Sequence, residues 1–279
     1  MFTYPGGDGV AITVHEWPVD EPRAVVQVAH GMGEHAARYA PLAAHLNGLG
    51  YSVYAADHRG HGKSMHAGPG VLGDGGWNLL VEDMVTLTGL LRKQHPGVPL
   101  VLVAHSLGSF AAQQYVLDHS ELLDGLALSG TTAIDQLLAG PPDPSVNVLE
   151  LFNAPFEPAR TPFDWLSRDE AQVDLYVADE YCGFELDLQG MTELTDAAPR
   201  LADPSGVTFD LPIYVAVGSM DPLNGGLALS DLVVSRYRDA GLTDVTYQPY
   251  DQARHEIFNE TNRDEVFDDL AQWIRRVTR

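Results

Sequence analysis

The sequence predicts an α/β protein: a mainly parallel sheet with helices on both faces, interrupted once by a long inserted segment. Three observations carry this. Short apolar runs at AVVQVA (24–29), YSVYAA (51–56), VLVA (101–104), GLALS (125–129) and LPIYVAVG (211–218) read as buried strands. Stretches with apolar residues at helical spacing separate them, an order that yields parallel pairing through crossover helices. The alternation then lapses from Thr131 to about Asp210, where Pro141, Pro142, Pro144, Pro155, Pro158 and Pro162 interrupt apolar clusters, before resuming to the end. A long segment of that character reads as a functional lid. The expected organisation is a core from residues 1–130 and 211–279 with a cap at 131–210. A chain of 279 residues can bury a substantial core.

Taken in order, Met1 to Trp17 predicts a hairpin. Phe2 and Tyr4 lead into Gly6-Gly7-Asp8-Gly9, and Val10, Ile12 and Val14 alternate beyond it. The strand Ala24–Ala29 ends in the glycine-bearing loop HGMGEH, which suits a backbone that must approach something closely. Tyr39, Leu42, Ala43 and Leu46 fall at helical spacing, and Gly48 and Gly50 stop that helix. After YSVYAA comes DHRGHGKS, then a helix over Leu79 to Gln94 with Leu80, Met84, Leu87 and Leu91 on one face, broken by His95-Pro96-Gly97. The run VLVAHSLGS leads into a helix at Phe110 to Tyr115. Past the cap, a helix around Leu227 to Arg238, a strand Val245 to Tyr250 and a helix Arg263 to Val277 complete the chain.

Composition narrows the function. Sixteen Lys and Arg against 39 Asp and Glu give a formal charge of −23, which argues against a nucleic-acid partner and against electrostatic docking on anionic lipid. The lone Cys182 has no intramolecular disulfide partner and reads as a small packing residue. The N-terminal MFTYPGGDGV has neither a basic nor an apolar leader region, and no apolar run approaches membrane-spanning length, so a cytoplasmic protein is expected. No G-x-x-x-x-G-K-[ST] loop is present, and GMGEHA is not G-x-G-x-x-G, so neither an NTPase nor a dinucleotide-binding protein is indicated.

The chemistry centres on Ser106. It stands at the apex between strand and helix, flanked by the small Ala104 and Gly108, a variant of G-x-S-x-G with alanine in place of the first glycine. The bland alternative is a serine that caps a helix. A serine hydroxyl needs a base to take its proton and a carboxylate to orient that base. In parallel sheets reacting groups collect at the carboxyl ends of strands. Asp221 follows LPIYVAVG, and His255 follows VTYQPY. Asp221 precedes Pro222 and could serve only a turn, in which case Asp203 and Asp210 are the other carboxylates. His255 could instead pack near the last helix, yet the other ten histidines all lie at or before position 119, ahead of the cap. An oxyanion needs preorganised donors. The Leu107 amide is one, and the HGMGEH loop offers the amide of Met32 as the other. His30, His35, His58, His61 and His66 lack the carboxylate-rich or cysteine-rich spacing of a strong metal site, so no metal and no cofactor are expected.

The ordered motifs HGMGEHAARY, DHRGHGKS, AHSLGS, GSMDPLN and RHEIFNE resemble the monoglyceride-lipase-like, lysophospholipase-type branch of the α/β-hydrolases, from about Ala24 to the C-terminus. That resemblance implies an eight-stranded, mostly parallel sheet with helices on both faces and an inserted cap. It also implies Ser106 as nucleophile, Asp221 as acid, His255 as base, and the amides of Met32 and Leu107 as oxyanion hole. The segment FDWLSRD (163–169) is similar to the branch's cap over an acyl pocket. His105 beside the serine, and Leu149, Leu151, Phe152, Phe156 and Trp165 in the cap, either line that pocket or form ordinary cap core. The expected activity is ester hydrolysis through an acyl-enzyme on monoacylglycerol or a similar small lipid ester. The alternatives are a short-chain or non-lipid esterase, an amidase or an acyltransferase with the same triad, or a ligand-binding protein on a hydrolase scaffold. The only partner expected is the small ester, with transient contact of the cap's apolar Val146–Phe152 cluster with a lipid surface. The residues leave the oligomeric state open.

Overall fold

A computed structural model of the chain describes residues 1–139 and 148–279, and excludes the side chains of 148–150. Strands β1 (Phe2–Pro5) and β2 (Ala11–Trp17) form the N-terminal hairpin, with Tyr4 opposite Ile12. Then follow β3 (Ala24–Ala29), α1 (Ala40–Gly48), β4 (Tyr51–Ala56), α2 (Gly76–Gln94), β5 (Leu100–His105), α3 (Leu107–His119) and β6 (Gly125–Ser129). The inserted segment carries α4 (Ile134–Leu137), α5 (Val148–Asn153), α6 (Glu170–Ala178) and α7 (Leu188–Leu201). β7 (Ile213–Gly218), α8 (Ala228–Asp239), β8 (Val245–Tyr250) and α9 (Arg263–Val277) close the chain.

The eight strands form one sheet in the order β1-β2-β4-β3-β5-β6-β7-β8, antiparallel only where β2 meets β1 and β4. This is the α/β-hydrolase fold. Alternation along each central strand sends side chains to opposite faces. Leu100, Leu102 and Ala104 of β5 pack with α2, α3, α7 and α8, whereas Val101 and Val103 pack with α1 and α9. Both faces are covered, and for that reason β3, β4, β5, β6 and β7 are buried along their whole length and carry apolar runs with few polar interruptions. Each leucine so buried contributes roughly 1.5–3 kcal/mol of transfer free energy.

Two boundaries differ from the sequence reading. α2 starts at Gly76 rather than Leu79, because the Glu193 carboxylate on α7 accepts the N–H groups of Gly75 and Trp77 at 3.0 and 2.9 Å. That acceptor lies more than a hundred residues away along the chain. α3 starts at Leu107, immediately after the serine, rather than at Phe110. The inserted segment is helical where its prolines gave no periodic pattern. α6 and α7 start on Asp169 and Asp187, whose carboxylates cap the N–H groups of Ala171 and Gly190. α7 turns Leu194, Ala198 and Leu201 into the same apolar cluster as Trp77 and Leu80 of α2.

Candidate active site

The parallel register aligns the carboxyl ends of the central strands, with Ala29 beside Ala104 and His105 beside Ser129. Ser106 follows β5 at φ 50° and ψ −118°, a strained backbone for a residue with a side chain. Its own N–H donates to the Ser129 carbonyl at 2.9 Å and that of Gly108 to the His30 carbonyl at 3.0 Å, which holds the turn between β3 and β6. Gly108 is obligatory there, since a Cβ would lie 2.4 Å from the Ala29 oxygen. Ala104, in place of the motif's first glycine, is fully buried within β5 and joins the core on the α2 and α3 face.

Asp221 engages two partners, one with each carboxylate oxygen. Oδ1 accepts the Leu223 N–H at 2.9 Å and caps a short turn that has Pro222 at its start, while Oδ2 accepts His255 Nδ1–H at 2.8 Å. The bond fixes Nδ1 as the protonated nitrogen and leaves Nε2 with the lone pair. Asp203 and Asp210 play no part here: Asp203 caps the turn at Pro204–Gly206, and Asp210 lies on a separate groove with Ser120 and Val277. Burial by itself would depress the pKa of His255, but the charge and hydrogen bond of Asp221, with Glu256 and Glu34 beyond, outweigh it and raise it above the ordinary imidazole value. His105, whose ring lies 4.8 Å from that of His255, responds the other way. Burial and the neighbouring imidazole push it down to about 3, so it stays neutral. Gly130 lets the two rings meet, since a Cβ there would fall 2.7 Å from His105 and 3.0 Å from His255.

The loop after β3 is held from behind. Glu34 Oε1 accepts the Gly31 N–H at 2.6 Å and the Tyr39 hydroxyl at 2.9 Å, and Oε2 accepts from Arg38 at 2.7 Å. Arg38 also makes a two-pronged contact with Glu256, next to His255, at 2.6 and 2.7 Å. His30, kept neutral by burial and by the nearby His58, donates Nδ1–H to the Gly31 carbonyl and accepts the His58 N–H on Nε2. His58 and His61 are buried beside it, their rings 4.2 and 5.2 Å from that of His30. Among the described residues, the backbone N–H groups of Met32 and Leu107 find no acceptor.

A cavity of about 140 Å³ joins Ser106, His255, His105 and Met32 with Phe152 and Trp165 of the inserted segment. Trp165 lies over the His255 imidazole at 5.0 Å, and the carbonyls of Trp165 and Leu166 accept the N–H groups of His255 and Glu256. Phe156 is not on that wall: its ring lies 4.1 Å from the Arg254 guanidinium and packs against the Trp165 cluster. Leu151 faces solvent, and Leu149 lies outside the described side chains. Phe163, Tyr176, Phe184, Met191 and Leu223 also face the cavity. Sequence reasoning missed them, because they come from separate turns and helices of the inserted segment and from the loop after β7, and no short-range pattern joins them.

A strained serine after a parallel strand, a histidine bonded to an aspartate after later strands and two free amides define a serine hydrolase of the α/β-hydrolase fold. Residues 20–262 match the family described as "Serine aminopeptidase, S33", and the chain belongs to that family, among its monoglyceride-lipase-like members. It is 31% identical to the monoacylglycerol lipase of Mycolicibacterium smegmatis, over 98% of this chain and 95% of that one. It is 28% identical to the human monoglyceride lipase, over 97% and 89%. Among solved structures, a thermostable carboxyl esterase from Bacillus coagulans in complex with glycerol superposes with a TM-score of 0.83, at 28% identity, covering 100% of this chain and 98% of that one. A lipase in its open form gives 0.85 at 27% identity, over 99% and 98%. No helix among the described residues is long and apolar enough to cross a membrane.

Proposed function

We propose that the protein hydrolyses monoacylglycerol or a similar small lipid ester through an acyl-enzyme. Ser106 Oγ attacks the ester carbonyl as His255 Nε2 takes its proton, and Asp221 holds the imidazole in that tautomer and stabilises its cation. The amides of Met32 and Leu107 receive the developing oxyanion. His255 returns the proton to the leaving alcohol, and water, activated by the same histidine, releases the fatty acid. The single observation that carries this reading is the cavity, in which Ser106 and His255 share one space with the apolar cap side chains Phe152, Phe163, Trp165 and Phe184. The relatives named as monoacylglycerol and monoglyceride lipases support the lipid substrate.

Residues 131–210 act in this reading as a cap over the acyl chain. Leu151, Leu175, Val177 and Leu188 on its outer surface are exposed and suit transient contact with a lipid surface, whereas Val146 and Asn147 of the Val146–Phe152 cluster lie outside the described residues. The deciding experiment compares fatty-acid release from a monoacylglycerol with cleavage of a short p-nitrophenyl ester, for wild type and Ser106→Ala. The wild type should prefer the monoacylglycerol, and the variant should be folded and inactive on both. Cleavage of the short ester alone would overturn the lipid substrate and keep the triad. An active Ser106→Ala would overturn the mechanism.

A further inference from the structure

Folding brings three metal-ligand side chains together outside the catalytic constellation. His35 lies just beyond the Met32 loop, and Asp179 and Cys182 lie beyond the C-terminus of α6 in the cap. One donor atom from each, an imidazole nitrogen, a carboxylate oxygen and a thiol sulfur, falls within 4.8 Å of the other two. It is the one such group of three or more His, Cys, Asp and Glu among the described residues. We infer that His35, Asp179 and Cys182 form a binding site for a zinc ion that fastens the cap to the loop carrying Met32.

The donor set of one nitrogen, one oxygen and one sulfur suits a borderline-soft ion of tetrahedral habit, with bonds of roughly 2.0–2.3 Å, and leaves the fourth position to water. Such an ion holds its donor atoms roughly 3.3–3.7 Å apart, and the three donors here already lie within 4.8 Å of one another. His35 Nε2 and Asp179 Oδ2 already meet at 2.9 Å. The other carboxylate oxygen of Asp179 accepts the Tyr181 N–H at 2.9 Å, which aims Oδ2 at the imidazole. The Tyr181 ring packs edge-on against His35 at 5.9 Å. The backbone is pinned beside the site by the Gly183 N–H to the Gly33 carbonyl at 2.9 Å. The nearby cation, Arg38, is engaged by the carboxylates of Glu34 and Glu256, so it does not exclude a second positive charge. Binding displaces the thiol proton to solvent and leaves the sulfur as thiolate on the ion. Because Gly183, Phe184 and Glu185, directly after Cys182, line the catalytic cavity, an ion here ties the cavity wall to the loop after β3.

The test uses the full-length protein stripped with chelator, titrated calorimetrically with Zn²⁺, and with Co²⁺ as a spectroscopic stand-in. One equivalent of Zn²⁺ should bind and raise the melting temperature, and Co²⁺ should develop a near-ultraviolet thiolate charge-transfer band. Cys182→Ser should abolish the band, and His35→Gln and Asp179→Asn should each weaken Zn²⁺ binding by more than about tenfold. Absence of the band in the wild type overturns the site. So does equal Zn²⁺ affinity in His35→Gln or Asp179→Asn, which would place the ion on other histidines. If Cys182→Ser fails to fold, the wild-type spectrum and the other two variants decide the matter alone.

Discussion

At the scale of single residues, the site depends on a few atoms whose neighbours fix their protonation. Asp221 Oδ2 selects the tautomer of His255, so Asp221→Asn, which can offer an N–H to Nδ1 and reverse the tautomer, should lower kcat by roughly 10³–10⁴-fold with little change in fold. Steady-state rates and circular dichroism on the purified variant check this. The raised pKa of His255 sets the acid limb of the pH profile. The base must be neutral to accept the serine proton, so kcat/KM should fall as pH drops through a midpoint above the ordinary imidazole value of about 6.5. A midpoint below that value would contradict the balance of charges around the ring. Sequence position alone offered Asp221 both a turn and a catalytic role. In the structure the turn takes only Oδ1, and Oδ2 is left to accept from His255.

At the scale of elements, helices and loops are positioned by partners that lie far away in sequence. Glu193 caps α2 from α7, and Glu193→Ala should cost about 1 kcal/mol of stability while leaving turnover per folded molecule unchanged, measured by urea unfolding beside an activity assay. The loop after β3, the His255 loop and α6 converge on Arg38, whose guanidinium pairs Glu34 and Glu256 and lies 4.8 Å from the Tyr176 ring. Arg38→Met would leave two buried carboxylates without their cation, and should destabilise the protein by roughly 3–5 kcal/mol. An unfolding midpoint close to wild type would show that water can replace the guanidinium. The ends of elements were the least legible in the sequence for the same reason. Local spacing marks where a helix can run, but an acceptor more than a hundred residues distant decides where α2 begins.

At the scale of the whole molecule, one consequence of the buried histidines is lability to acid. Burial pushes His30, His58, His61 and His105 down, His58 and His105 to about 3. The unfolded chain takes up protons below about pH 6.5 that the folded chain refuses, so stability falls as pH drops from there towards 3, by at most about 1.4 kcal/mol per pH unit for each histidine. His255, with its raised pKa, acts in the opposite sense, and its stabilisation is lost as pH rises through the folded value. The urea midpoint should therefore drop steeply between pH 6.5 and 4.5, and His58→Gln should flatten that slope. A midpoint independent of pH would contradict the account. The sequence by itself determined the layered sheet and the order in which Ser106, Asp221 and His255 follow the carboxyl ends of their strands. Those depend on apolar periodicity and on motifs only a few residues long, and short-range sterics make such patterns readable. Only the tertiary structure decided that Phe163, Tyr176, Phe184 and Met191 share the cavity with Trp165 while Phe156 does not, and that His35 meets Asp179 across 144 residues with Cys182 close by. Between β6 and β7, short helices and turns bring together side chains that have no common period, and their positions follow from how the segment packs on the core.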